Sequence, residues 1–278
     1  MNRYDRTTGD VGNIMSLEHV NLTVPNQNTA LSFYCRALGL TRDPIIDFGT
    51  HNLWINAGDE QFHLPTGPAQ IIRGVIGLVV PDLAQLAARL TRAKKGLADT
   101  KFAFKVHVNH IMVTCPWGNR IRCHPPAGFN GMSLGMPYIE LDVANDTAKS
   151  ISDFYSRVFK APVIERKAAC SIQIGTRQTI TFKESRREQK PYDGHHIAIY
   201  LADFSGPHTQ LEKMNLITEE SDANQYRFEM ICNRKGKPVY QIEHEVRSLH
   251  HPLHGRSLVN RNADQSFFNY RKGFDFHS

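Results

Sequence analysis

Four side chains scattered along this chain have the types and the spacing to share one divalent cation. His19 sits in a run of strand formers, Leu17-Glu18-His19-Val20-Asn21-Leu22-Thr23-Val24, and His63 ends the tripeptide Gln61-Phe62-His63. His196 sits in a second such run, Gly194-His195-His196-Ile197-Ala198-Ile199-Tyr200-Leu201, and Glu243 ends Gln241-Ile242-Glu243. The interval is 44 residues from 19 to 63 and 47 from 196 to 243. Imidazole and carboxylate donors suit Fe, Ni, Co, Zn or Mn, so one divalent ion of this group is the expected cofactor. Four protein ligands in an octahedron leave two adjacent places for substrate oxygens or water, where the ion acts as a Lewis acid. With His63 standing off, His19, His196 and Glu243 would instead form a two-histidine, one-carboxylate triad suited to iron.

Strand geometry decides which residues share a face. Side chains alternate, so His19, Asn21 and Thr23 point one way and Val20, Leu22 and Val24 the other. In the second run His196, Ala198 and Tyr200 correspond to the polar set, which selects His196 over His195. Near the C-terminus Gln241, Glu243 and Glu245 share a face, and Tyr240, Ile242 and His244 take the opposite one, provided no bulge intervenes. Between these outer segments, the same register puts Val75 and Tyr138 at the first-strand position and Arg122 and Thr181 at the last. Those four do not make a metal site. His51, His107, His110 and His124 have no partner in this scheme and read as surface or turn residues.

The elements that must position these groups follow from an internal similarity. Ser32-Phe33-Tyr34-Cys35-Arg36 recurs as Asp153-Phe154-Tyr155-Ser156-Arg157. The first copy lies in an amphipathic helix expected over 28–38 and stopped by Gly39. The second lies in one expected over 147–159 that stops before Pro162. A fourth helix is expected over 208–216, with Pro207 at its start. Four strand-like stretches, 18–24, 75–80, 138–143 and 196–201, each lead into a helical pattern and then three further strand-like runs. The reading is βαβββ, four times over, in an α+β protein.

This arrangement resembles the vicinal oxygen chelate superfamily, which includes glyoxalase I, methylmalonyl-CoA epimerase, the extradiol dioxygenases and the bleomycin resistance proteins. The residues carrying the resemblance are Leu17-Glu18-His19-Val20, Phe33-Tyr34, Cys115-Pro116-Trp117-Gly118-Asn119-Arg120-Ile121 and Gly194-His195-His196-Ile197-Ala198. It implies two curved mixed-sheet cups built from four modules, with a first domain over 17–127 and a second over 136–246. Residues 1–16 form an N-terminal tail. Glyoxalase-type pairing of modules one and four would bring His19, His63, His196 and Glu243 together as metal ligands. His63 departs from the glutamate or glutamine that such relatives carry there.

The implied function is that of a divalent-metal-dependent enzyme acting on a small oxygenated, anionic substrate, in the manner of a lyase or isomerase. The alternatives are an Fe(II)-dependent dioxygenase and a non-enzymatic small-molecule binding or resistance protein. Glu243 or Glu245 would serve as base, with Tyr200, Asn21, Arg247 and Arg256 around the substrate. The extension over 247–278, rich in Arg and His, is a possible lid, and its final stretch from Phe267 to Ser278 is aromatic enough to dock.

Bulk properties narrow the classes. The 278 residues are 41% apolar and 22% charged, as in ordinary globular proteins. No apolar run approaches the roughly 18 residues needed to cross a bilayer. The first residues lack the apolar core of a secretory signal, so the expectation is a cytoplasmic protein. Five dispersed cysteines without a C-x-x-C favour reduced thiols. The net charge of +6 comes without a nucleic-acid-binding motif and fits a basic pocket for a small anion. The expected partner is a small molecule rather than nucleic acid or membrane, bound by a monomer or homodimer.

Overall fold

The computed structural model describes residues 4–49 and 51–260. Four βαβββ modules follow one another. The first has β1 (Ile14–Asn21), a helix α1 (Gln27–Ala30) that widens into a π-helix (Leu31–Ala37), β2 (Thr41–Arg42), β3 (Asn52–Ala57) and β4 (Glu60–Pro65). The second has β5 (Gly74–Val79), α2 (Leu83–Ala93), β6 (Ala103–Val106), β7 (Ile111–Thr114) and β8 (Arg120–His124). The third has β9 (Tyr138–Val143), α3 (Ala148–Phe159), β10 (Val163–Arg166), β11 (Ala169–Gln173) and β12 (Thr179–Glu184). The fourth has β13 (His196–Leu201), α4 (Ser205–Lys213), β14 (Ile217–Asp222), β15 (Gln225–Cys232) and β16 (Pro238–Ser248). Among the described residues no helix is long and apolar enough to cross a membrane.

The strands form two mixed eight-stranded sheets. One runs β14-β15-β16-β13-β1-β4-β3-β2 and so joins modules four and one. The other runs β10-β11-β12-β9-β5-β8-β7-β6 and joins modules three and two. This is the expected α+β architecture, with the outer modules sharing a sheet. By contact density the chain divides into two units. One holds the chain up to Leu17 with Asp142–Gln189 and Ala198–His254. The other holds Glu18–Leu141, Lys190–Ile197 and the segment from Gly255.

Local chemistry explains the helices. Asn26 caps α1 by accepting from the Thr29 amide, and Asp82 caps α2 by accepting from Ala84 and Gln85. α3 ends where Lys160 turns left-handed at φ 50°. α4 begins three residues earlier than the sequence suggests, because Asp203 accepts from the Gly206 amide and Pro207 is tolerated in a first turn. The apolar strand faces meet these helices as alternation requires. Tyr34 packs on Phe62 with ring centroids 4.9 Å apart, and Phe228 lies under Phe154 and Phe159 of α3 at 6.0 and 5.6 Å. Each fully buried ring contributes about 1.5–3 kcal/mol.

The β3–β4 hairpin that carries His63 is closed by Gly58 and Asp59, with Ala57 opposite Glu60. Gly58 has φ +76°, and a Cβ there would lie 2.2 Å from the Leu134 carbonyl oxygen, so only glycine fits. Asn260 clasps this turn. Its Oδ1 accepts from the Gly58 amide at 3.0 Å and its Nδ2 donates to the Gly58 carbonyl at 2.8 Å. The described part of the C-terminal extension is therefore tied to module one. The stretch from Phe267 to Ser278 lies outside the described residues.

Candidate metal centre

β1 and β4 are parallel neighbours, with His19 opposite Gln61 and Asn21 opposite His63. β1 also borders β13, whose first residue is His196. This register gathers three imidazoles. One ring nitrogen from each of His19, His63 and His196 lies within 4.8 Å of the others. Ring centroids are 5.3 Å apart for His19 and His63, 5.6 Å for His19 and His196, and 6.4 Å for His63 and His196. His19 is fully buried and His196 nearly so.

The surroundings orient two of the rings. The Glu18 carboxylate accepts from His19 Nδ1, and the Asn21 side-chain amide lies 2.7 Å from His63 Nδ1. The contact is made by Asn21 Nδ2; turned end for end, the amide oxygen would accept from Nδ1–H and leave Nε2 with its lone pair. The Nε2 atoms of all three histidines are buried, and that of His19 meets no hydrogen-bond partner. A buried polar nitrogen without a partner is costly in the absence of a ligand. A histidine whose Nδ1 is held by a carboxylate or amide while Nε2 faces inward is the usual setting of a metal ligand. The residues present therefore fit a divalent ion.

Trp54 completes the wall. It stands opposite His63 across the β3–β4 ladder and stacks on it at 3.9 Å and 16°. Its edge meets His19 at 5.0 Å, and its buried Nε1 has no acceptor. On the same face lies a polar chain in which Gln61 donates to Asn56 at 2.6 Å and to Asp43 at 3.0 Å. Asp43 in turn accepts from Arg256 at 2.7 Å. Burial pushes the Asp43 carboxyl up, but Arg256 and the Ile45 and Ile46 amides outweigh it and hold the group below its usual range.

The other expected site residues are placed differently. Glu243 is not in the histidine group. Its carboxylate is held by Arg227 at 2.6 Å, and burial raises its pKa against the pull of that guanidinium. The physical reason is the Arg227 guanidinium, which takes up the carboxylate. β16 bulges against β15 at Ile242–Glu243, yet Ile242 and His244 stay in the core and Glu243 and Glu245 share the opposite face, as alternation has it. Glu245 is buried between Arg227 at 2.6 Å and Arg247 at 2.5 Å, which engages it as a structural anion. Arg247 also donates to Gln225, and Arg256 is engaged by Asp43. Tyr200 is buried on β13 with its ring 4.8 Å from His254 and 6.3 Å from His251. Asn21 serves His63. His195, the neighbour that alternation rejected, is held by Asp193 at 2.6 Å.

Glu18 and Trp54 carry no role in the sequence reading. Trp54 was accessible to it, since Asn52, Trp54 and Asn56 alternate with Leu53 and Ile55 and share the polar face. Glu18 was not, because alternation places it on the opposite face from His19.

No protein-family model matches this chain, and no curated protein does. Solved structures do. Glyoxalase I from Zea mays aligns over 84% of this chain and 92% of its own, with a TM-score of 0.57 at 10% identity. A Bacillus subtilis protein described as a "putative dioxygenase" aligns over 85% and 86%, with a TM-score of 0.56 at 14% identity. The cppA protein from Streptococcus pneumoniae aligns over 86% and 100%, at 0.51 and 12%. The chain has the vicinal oxygen chelate fold. Within that fold its four modules occur in the expected order, and the histidine group lies on the sheet that modules one and four share.

Proposed function

We propose that this vicinal oxygen chelate protein is a divalent-metal-dependent enzyme that acts on a small oxygenated anion by proton transfer, as a lyase or isomerase. The observation that carries the reading is the convergence of three ring nitrogens within 4.8 Å around the buried, partnerless Nε2 of His19. His19, His63 and His196 would hold the ion, and Glu18 and Asn21 would fix two of their rings. Bound there, a divalent ion supplies Lewis acidity that polarises a substrate carbonyl or hydroxyl oxygen. Trp54 excludes water from the His63 side and offers its Nε1–H to a substrate oxygen.

The likeness to Zea mays glyoxalase I supports a lyase, and that to the Bacillus subtilis protein keeps a dioxygenase in view. The all-imidazole group favours the first reading, since the iron triad needs a carboxylate. The test is a screen of small hydroxy and keto acids in deuterated water with an oxygen electrode in parallel. The proposal expects deuterium at the carbon next to the carbonyl, no oxygen uptake, and loss of exchange together with the metal in His196→Ala. Metal-dependent oxygen uptake would reverse the assignment to a dioxygenase.

A further inference from the structure

We propose that the second sheet carries a separate binding site for a small carboxylate or phosphate anion, centred on Arg122, Tyr138 and His124. The register of the two sheets makes the comparison direct. Asn21 faces His63 across β1 and β4, and Gly77 faces Arg122 across β5 and β8, both pairs parallel. Where the first sheet presents an imidazole suited to a cation, the second presents a fixed cation.

The place is built around that guanidinium. A Cβ on Gly77 would lie 2.6 Å from the Tyr138 ring, so the bare glycine lets the tyrosine lie over β5. Tyr138 Oη then accepts from Arg122 Nη1 at 3.1 Å and sits 2.8 Å from His124 Nε2. Across the ladder from Arg122 come Met112 and then Lys105, on the same face. Beside this row the rings of His107 and His110 stack at 4.5 Å, and His110 lies 5.9 Å from His124. Phe129 packs on His124 at 4.9 Å.

Lys105 and Arg122 are the fixed cations named on this face, and Glu140 is ion-paired to Arg122 at 3.5 Å. Burial, then the Arg122 and His110 charges, hold His124 below its ordinary pKa. Burial, then His107 and Arg122, do the same for His110. The three rings do not converge as a ligand set. A planar guanidinium beside a phenol and imidazoles suits an oxyanion.

The experiment follows the histidine ring protons of the whole protein by NMR, with the His124 signal assigned by its loss in His124→Gln. Phosphate, acetate and chloride are titrated at matched ionic strength. Saturable movement of the His124 and His110 signals with phosphate, acetate or both is expected, and the arm that saturates identifies the oxyanion. Arg122→Gln should weaken that binding at least about tenfold with an unchanged melting temperature, the size of one lost charge-assisted contact. If that variant does not fold, Arg122→Lys keeps the charge but loses the fork and should still bind several-fold more weakly. Equal responses to chloride, no saturation, or unchanged affinity in the arginine variant that folds would overturn the proposal.

Discussion

Removing the Glu18 carboxylate should weaken metal binding although Glu18 is not placed as a ligand. His19 is fully buried, its Nδ1 is held by Glu18, and its Nε2 has no protein partner. Glu18 therefore sets both the orientation of that ring and the basicity of the nitrogen left for the ion. Outer partners of this kind are worth 10- to 100-fold in metal affinity, or about 1.4–2.7 kcal/mol. Two variants grade the effect. Glu18→Gln keeps an acceptor for Nδ1–H but loses the charge and should fall near the lower figure. Glu18→Ala also strands Nδ1 in the interior and should fall near the upper one. Competition of each purified variant for Zn(II) against a chromophoric chelator gives the affinities, and melts in excess chelator show that the fold is intact. If both folded variants bind within twofold of the parent, Glu18 does not act through His19 and the reasoning fails.

Other outcomes follow from the same face. Asp43 is held below its usual pKa, so its stabilising contribution is complete above the unfolded value of about 3.8 and is lost as pH falls through the lower folded value. Arg256→Gln removes the contact that opposes burial, and its acid unfolding midpoint, followed by circular dichroism, should move to higher pH; coincident midpoints would refute the link. The Trp54 indole stacks on His63, so metal titration should change its fluorescence. The change should survive in Trp117→Phe and vanish in Trp54→Phe, and a response carried by Trp117 would contradict the placement.

Much of this fold was legible because its cues are local. Alternation in 17–24 and 194–201 separated the face of His19 and His196 from the apolar face, and capping chemistry at Gly39 and Pro162 marked the helix ends. The pairing of modules one and four followed from the resemblance, since no periodicity reports which edges meet. What escaped depends on events between strands. Glu243 is taken up by Arg227 of β15, a partner that no property of Gln241-Ile242-Glu243 announces. The pairing of Asp43 with Arg256 joins residues 213 apart in sequence. His124 could have been read two residues beyond Arg122 on the same face of β8, but its value comes from Tyr138 and the loop histidines beside it, which only the folded sheet assembles.

The account stands most directly on metal stoichiometry. After reconstitution with Zn(II), Co(II), Ni(II), Mn(II) or Fe(II) and desalting, elemental analysis should find one ion per chain in the parent protein. His19→Ala, His63→Ala and His196→Ala should each lose it while their melts in chelator match the parent. A parent that retains no ion, or folded histidine variants that retain it undiminished, would contradict the assignment of these three imidazoles to a metal centre.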